Sequence, residues 1–140
     1  MIKKAFILLL LSFSAAIAGR AQQQQPLTPE QKEKQLYEAI QKQVDDYAEN
    51  LNLEDWQIFY ADSILTHNLV ELSKEYEIQS KNKVSDSSIY MLIQDTWMEK
   101  TYQAFKKILN EEQWQKYLKT GAGRAKKDRD KRAAKAKKKS

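Results

Sequence analysis

Leu109-Asn110-Glu111-Glu112-Gln113, residues 109–113, carries a complete helix start in five positions. Asn110 is a strong N-cap, because its side-chain oxygen can accept from the backbone N–H groups that a first turn leaves open. Gln113, three residues on, stands where a capping box wants Glu or Gln. Leu109 before the cap and Trp114 after it are placed for a hydrophobic staple. Glu111 and Glu112 favour the positive end of the helix dipole. Leu27-Thr28-Pro29-Glu30-Gln31 repeats the arrangement, with Pro29 at the first helical position. Leu53-Glu54-Asp55-Trp56-Gln57 keeps its Leu and its Gln. The helix-start residues are therefore Leu27, Thr28, Gln31, Leu53, Gln57, Leu109, Asn110 and Gln113, and the fold class they announce is all-α.

Between Pro29 and Gly121 the chain has no glycine and no proline. A stretch without breakers or two-residue Asn-Gly turns argues for long helices and against a sheet. The spacing predicts a first helix from after Thr28 to about Asn50, with Leu36, Tyr37, Ile40, Val44, Tyr47 and Leu51 in one stripe. A second helix starts at Asn52 or Glu54 and runs to about Ser80. Asn caps better than Glu, which favours Asn52. Its apolar residues form two stripes half a turn apart: Ile58, Ala61, Leu65, Leu69, Leu72 and Tyr76, against Leu53, Trp56, Tyr60, Ile64 and Ile78. Two stripes touch two things, one of them a chain neighbour, the other a second subunit or a client. Ser85 or Asp86 caps a third helix that runs to about Ile108 and is expected to be the most buried. A fourth starts at Asn110 and is expected to end at Gly121 and Gly123.

The N-terminus reads as an export signal. Lys3 and Lys4 precede the apolar run Ala5 to Phe13, broken only at Ser12, and small residues follow to Ala21. The run falls short of the roughly 20 residues a membrane span needs. Cleavage is expected after Ala21 or after Ala18, and the compartment is the periplasm. The expected organisation is a signal peptide at 1–21, a polar mature start at 22–27, a helical domain at 28–118 and a basic tail at 119–140. The chain has no cysteine, so it holds no disulfide and no thioether lipid anchor. Its overall charge of +5 hides two opposite parts. Residues 22–118 hold 10 basic and 17 acidic residues, and residues 119–140 hold 11 basic and 2 acidic. A basic chain suggests nucleic acid when read alone. Export and the acidic body argue against that partner. The tail is expected to be disordered and solvated.

The signal-like start, LNLEDWQ (51–57) opening a long helix, ILNEEQWQKYLK (108–119) some fifty residues later and the Lys/Arg-rich tail together resemble the LTxxQ-motif family of small exported helical proteins. That is the Spy and CpxP-like group, in particular its Bacteroidetes-type relatives. Glu54 and Asn110 stand where Thr is usual. The resemblance implies a four-helix cradle or hairpin bundle, commonly paired into a homodimer. It also implies chaperone-like or stress-sensing work on unfolded or envelope proteins, with no cofactor.

No catalytic motif stands out, and the chain is expected not to be an enzyme. His67 is the sole histidine, and a metal site needs several convergent ligands, so no metal is expected. Asp45-Asp46 and Glu54-Asp55 read as solvated helix faces. The candidate contacts for a client or partner are Trp56, Tyr60, Ile64, Trp97 and Trp114. An alternative function is an envelope scaffold or tether. There the tail, through Arg124, Lys126, Lys127, Arg129, Lys131, Arg132, Lys137, Lys138 and Lys139, binds anionic lipid, lipopolysaccharide or an acidic partner.

Overall fold

The structure, a computed structural model, describes residues 25–140; the expected leader at 1–21 and its cleavage sites lie outside them. Among the described residues there are helices and no strands: α1 (Pro29–Asn50), α2 (Asp55–Lys81), α3 (Ser87–Ile108), α4 (Glu111–Tyr117), a π-helical turn (Leu118–Ala122) and α5 (Gly123–Lys139). The described residues fall into two units, 25–33 and 34–140.

In the first unit, the start of α1 is closed by a reciprocal box. The Thr28 N–H donates to Gln31 Oε1 at 2.9 Å, and the Gln31 N–H donates to Thr28 Oγ1 at 3.2 Å.

In the second unit, α2 begins at Asp55 with Glu54 as its cap, and Asn52 instead takes a positive φ of 53° in the connection. Glu54 caps here because Gln57 closes the box from the other side: the Glu54 N–H donates to Gln57 Oε1 at 2.9 Å. The Glu54 carboxylate also accepts from the Trp56 indole N–H. Asp86 caps α3, accepting the Ser88 N–H at 2.9 Å. Asn110 and Gln113 form the box that opens α4, at 2.8 and 3.0 Å.

The two glutamines are also joined to each other. Gln57 Nε2 donates to Gln113 Oε1 at 2.6 Å, and Gln113 Nε2 donates to Gln57 Oε1 at 2.9 Å. Gln57 Nε2 also reaches the Ile108 carbonyl at 2.8 Å, and Gln113 Nε2 the Asn52 carbonyl at 3.2 Å. Both side chains are buried. A single amide pair thus ties the start of α2 to the start of α4, the end of α3 and the α1–α2 connection.

From that clasp α2 and α3 run antiparallel. Asn68 Nδ2 donates to Thr101 Oγ1 at 2.9 Å, and the Trp97 indole N–H donates to Glu75 at 2.9 Å. Tyr76 and Tyr90 meet at 5.5 Å near the turn. The core lies at the clasped end and comprises Ile40, Val44, Leu51, Ala61, Leu65, Phe105 and Tyr117. Full burial of each large apolar side chain contributes about 1.5–3 kcal/mol. Phe105 and Tyr117 stack at 5.0 Å, and Tyr47 closes on both at 5.4 and 5.6 Å, so α1, α3 and α4 share one aromatic knot. Burial pushes the Tyr117 phenol well above its ordinary range.

The structure corrects three expectations. The third helix is buried only in its second half, at Trp97, Thr101 and Phe105, while Ile89, Met91 and Leu92 are exposed. The segment expected to be a disordered tail is the helix α5, with Arg129 buried. Gly121 does interrupt the helix, at a φ of 104°, which is open to glycine and strained for other residues. That residue bends the chain, and Gly123 then begins a helix instead of ending one. The physical reason lies outside the tail, in the carboxylates of α3 described below.

Truncating Gln113 takes one partner from each end of the buried Gln57 amide, which keeps the Glu54 N–H and the Ile108 carbonyl, and strips the Asn110 N–H and the Asn52 carbonyl of their side-chain partner, at about 1–3 kcal/mol for each group left unsatisfied. Gln113→Ala is expected to lower stability by about 2–4 kcal/mol, read from the urea midpoint at unchanged slope. Gln57→Leu combined with Gln113→Leu should cost less than the sum of the two single changes. Strict additivity in that cycle would show that the amides do not act as a pair.

Candidate partner-binding surface

The clasp fixes the start of α2, and the first turns of α2 then present three aromatic rings outward. Trp56 is 49% exposed, Phe59 68% and Tyr60 51%. Their rings touch one another, Trp56 to Tyr60 at 6.2 Å and Phe59 to Tyr60 at 5.7 Å, both edge-on. Trp56 has its indole N–H occupied by Glu54, so its apolar face is what remains to offer. The first stripe of α2 turns to the core and the second divides, with Leu53 and Ile64 packed on the core and its other residues outward. Ala61 and Leu65 are in the core, with Ile58 and Leu69 packed against it. Trp56, Tyr60 and Ile78 are exposed.

The other candidate contacts lie elsewhere. Ile64 is half-buried against the core and lines a groove of ≈ 490 Å³ with Lys100, Gln103, Ala104, Lys107 and Ile108. Trp97 is 8% exposed, its N–H is committed to Glu75, and Lys100 Nζ lies 3.8 Å over its ring. Trp114 is half-buried against Tyr102 and Tyr117, at 5.0 and 5.4 Å. The structure brings together Trp56 and Tyr60, buries Trp97 and leaves Trp114 half-buried among other rings. Sequence reasoning missed Phe59. Its signal was present, since at 100° per residue it falls on the same side of α2 as Trp56. His67 is exposed, its ring 5.9 Å from Trp97. Among the described residues no three His, Cys, Asp or Glu side chains converge as a metal site. No described helix is long and apolar enough to cross a membrane.

A second exposed apolar area lies toward the other end of the α2–α3 pair. Met91 and Leu92 of α3, with Ala133 and Ala136 of α5, line a groove of ≈ 610 Å³. Ion pairs hold its two walls together. Arg132 grips Asp95 with two hydrogen bonds, both 2.7 Å. Glu99 accepts from Lys126 at 2.9 Å and from Arg129 at 3.1 Å. Lys126 and Arg129 also lie 5.6 and 5.5 Å from the Tyr102 ring. Burial pushes the Glu99 carboxyl up, but hydrogen bonds from Gln103, Lys126 and Arg129 outweigh it and hold the group below its ordinary range. Of the nine tail residues named as anion-binding, Lys126, Arg129 and Arg132 are thus engaged in holding α5 on α3.

No protein-family model, no curated protein and no solved structure matches this chain.

Because folding lowers the Glu99 carboxyl, its contribution to α5 docking is present above the ordinary value of 4.5 and is lost as pH falls through the lowered one. Trypsin should cut α5 slowly at neutral pH and low salt. Glu99→Gln should speed that first cut about tenfold, equivalent to roughly 1.4 kcal/mol of easier opening. Acidification below the carboxylate range should loosen α5 in the wild type, read as faster amide exchange across residues 123–139, and do so less in Glu99→Gln. Equal exchange in the two proteins at every pH would remove Glu99 from the docking.

Proposed function

We propose that this chain is a non-enzymatic periplasmic binding protein of the Spy/CpxP-like type. It holds unfolded clients or an envelope-stress partner on the outward aromatic face of α2, as part of a four-helix cradle. The observation that carries this reading is the contiguous exposed set Trp56, Phe59 and Tyr60. Monomeric proteins keep large apolar patches covered, and a contiguous exposed one marks an interaction site. Covering a half-exposed aromatic ring releases about 1 kcal/mol, and three together give weak, reversible capture. Aromatic rings also suit many partners, since they offer a broad apolar face with few rotatable bonds. Solvated charge on the rest of the body, with 17 acidic residues over 22–118, keeps a loaded complex soluble. The mechanism needs no cofactor and no chemistry, only burial of client apolar surface until the client folds or is handed on.

Light scattering of a chemically denatured test protein diluted into buffer checks this. The wild type should suppress scattering at near-stoichiometric ratio. Trp56→Ser with Phe59→Ser should abolish most of the suppression while the circular dichroism spectrum and urea midpoint stay close to wild type, because neither ring belongs to the core. Suppression that survives in that folded variant would sink the aromatic surface as the binding site, and no suppression by the wild type would sink the chaperone reading itself.

A further inference from the structure

The cations of α5 divide into two faces. Lys126, Arg129 and Arg132 face α3 and are bound to its carboxylates. On the opposite side, Arg124, Lys127, Lys131, Lys135 and Lys138 follow one another at steps of three and four. At 100° per residue they fall within a sector roughly 80° wide, and at 1.5 Å per residue the row is about 21 Å long. All five are exposed. None is in an ion pair among the described residues, where the pairs of α5 involve Lys126, Arg129 and Arg132 alone. Asp128 flanks the row, and Asp130, three residues from Lys127, is paired with Lys126 at 2.8 Å. A flexible polybasic tail would present its charges in every direction. This helix is anchored through its other face, so it presents them as a straight, preformed ridge.

We infer that this outer ridge of α5 is a docking surface for the anionic phospholipid headgroups of a bilayer. A straight row suits a plane. Lysine supplies four of the five charges, and its compact ammonium on a flexible stem follows mobile phosphates without needing the fixed fork that arginine brings to bidentate recognition. The ridge has no aromatic residue on which bases could stack, which disfavours single-stranded nucleic acid. It has no large apolar residue, so the helix lies on the headgroups and does not insert. The α3 carboxylates that would repel the bilayer are on the far side and already neutralised by the inner cations. Each cation near an anionic surface strengthens attachment about fivefold, and salt screens it. The inference does not depend on the aromatic face of α2, and either site can fail alone.

The test is flotation of the full chain with vesicles of phosphatidylcholine containing about 30% phosphatidylglycerol, beside vesicles of phosphatidylcholine alone, in roughly 0.05 M and 0.5 M salt. The apolar start at residues 5–13 is common to every variant, and its contribution is read on the uncharged vesicles. Lys127→Gln, Lys131→Gln and Lys135→Gln together should lower partitioning on anionic vesicles about 100-fold. Lys32→Gln, Lys34→Gln and Lys42→Gln remove the same charge from α1 and should change it less than about threefold. Replacing the same three α5 lysines by Arg should keep binding, which separates charge from loss of helix. Equal losses in the two Gln triples would overturn the ridge in favour of net charge. So would a loss in the Arg triple, equal binding to both vesicle types, or tighter binding to duplex DNA than to anionic vesicles at the same salt.

Discussion

The pairing of Gln57 with Gln113 is the constraint from which the rest of the structure follows. Each side chain does two jobs at once. It closes a capping box on its own helix, through the Glu54 and Asn110 N–H groups, and it joins the other glutamine across 56 residues of chain. An amide is the side chain that fits this role, because it offers an acceptor to the cap and donors to its partner and to a nearby carbonyl. A glutamate could close the box but could not donate. Burial makes the arrangement strict, since a buried amide without partners is costly. The aromatic knot of Tyr47, Phe105 and Tyr117 can stack only once the ends of α1, α3 and α4 have been brought together.

Away from that clasp the forces change. Near the end of α2 and the start of α3 there is little apolar burial, and Ile78, Ile89, Met91 and Leu92 remain exposed. Here α5 is held to α3 mainly by charge, through Asp95 and Glu99. Alanines are the only apolar side chains α5 offers to the groove. Ion pairs of this kind contribute modestly at exposed sites, and at Arg129, whose Nη2 is buried without a hydrogen-bond partner, desolvation offsets part of the attraction to Glu99. The two ends therefore differ in what disturbs them. Urea and core truncation act on the clasped end, while salt and acid act on the α5 end.

Local chemistry was legible in the sequence, and long-range chemistry was not. The caps at Thr28, Asp86 and Asn110 involve residues two or three apart, so spacing alone places them. At Glu54 the residue type misleads, because Glu is a poor cap taken by itself and becomes adequate only with Gln57 closing the box. The glutamine pair is invisible to any pattern, since nothing local says that two capping residues will meet. The tail is the sharpest case. Its Ala, Lys and Arg residues suit a helix, but its like charges describe a solvated polyelectrolyte until Asp95 and Glu99, about thirty residues earlier, pair with one face. Phe59 borders the stripe that holds Trp56 instead of lying within it, and solvent exposure is what an aromatic residue at a stripe's outer edge implies.

The location of the exposed rings has an energetic consequence. Association costs conformational entropy in whatever must be ordered, and a surface already fixed by its own scaffold avoids much of that cost. Trp56, Phe59 and Tyr60 lie in the first two turns of α2, immediately beside the glutamine clasp, at the most constrained part of the chain. The exposed apolar residues at the start of α3 lie toward the end held by screened charge. Two apolar areas of similar chemistry thus differ in rigidity, and the rigid one is better suited to capture without rearrangement. The same reasoning applies to charge. The inner cations of α5 are used to hold the helix, and holding it turns the outer ones from a diffuse cloud into a line.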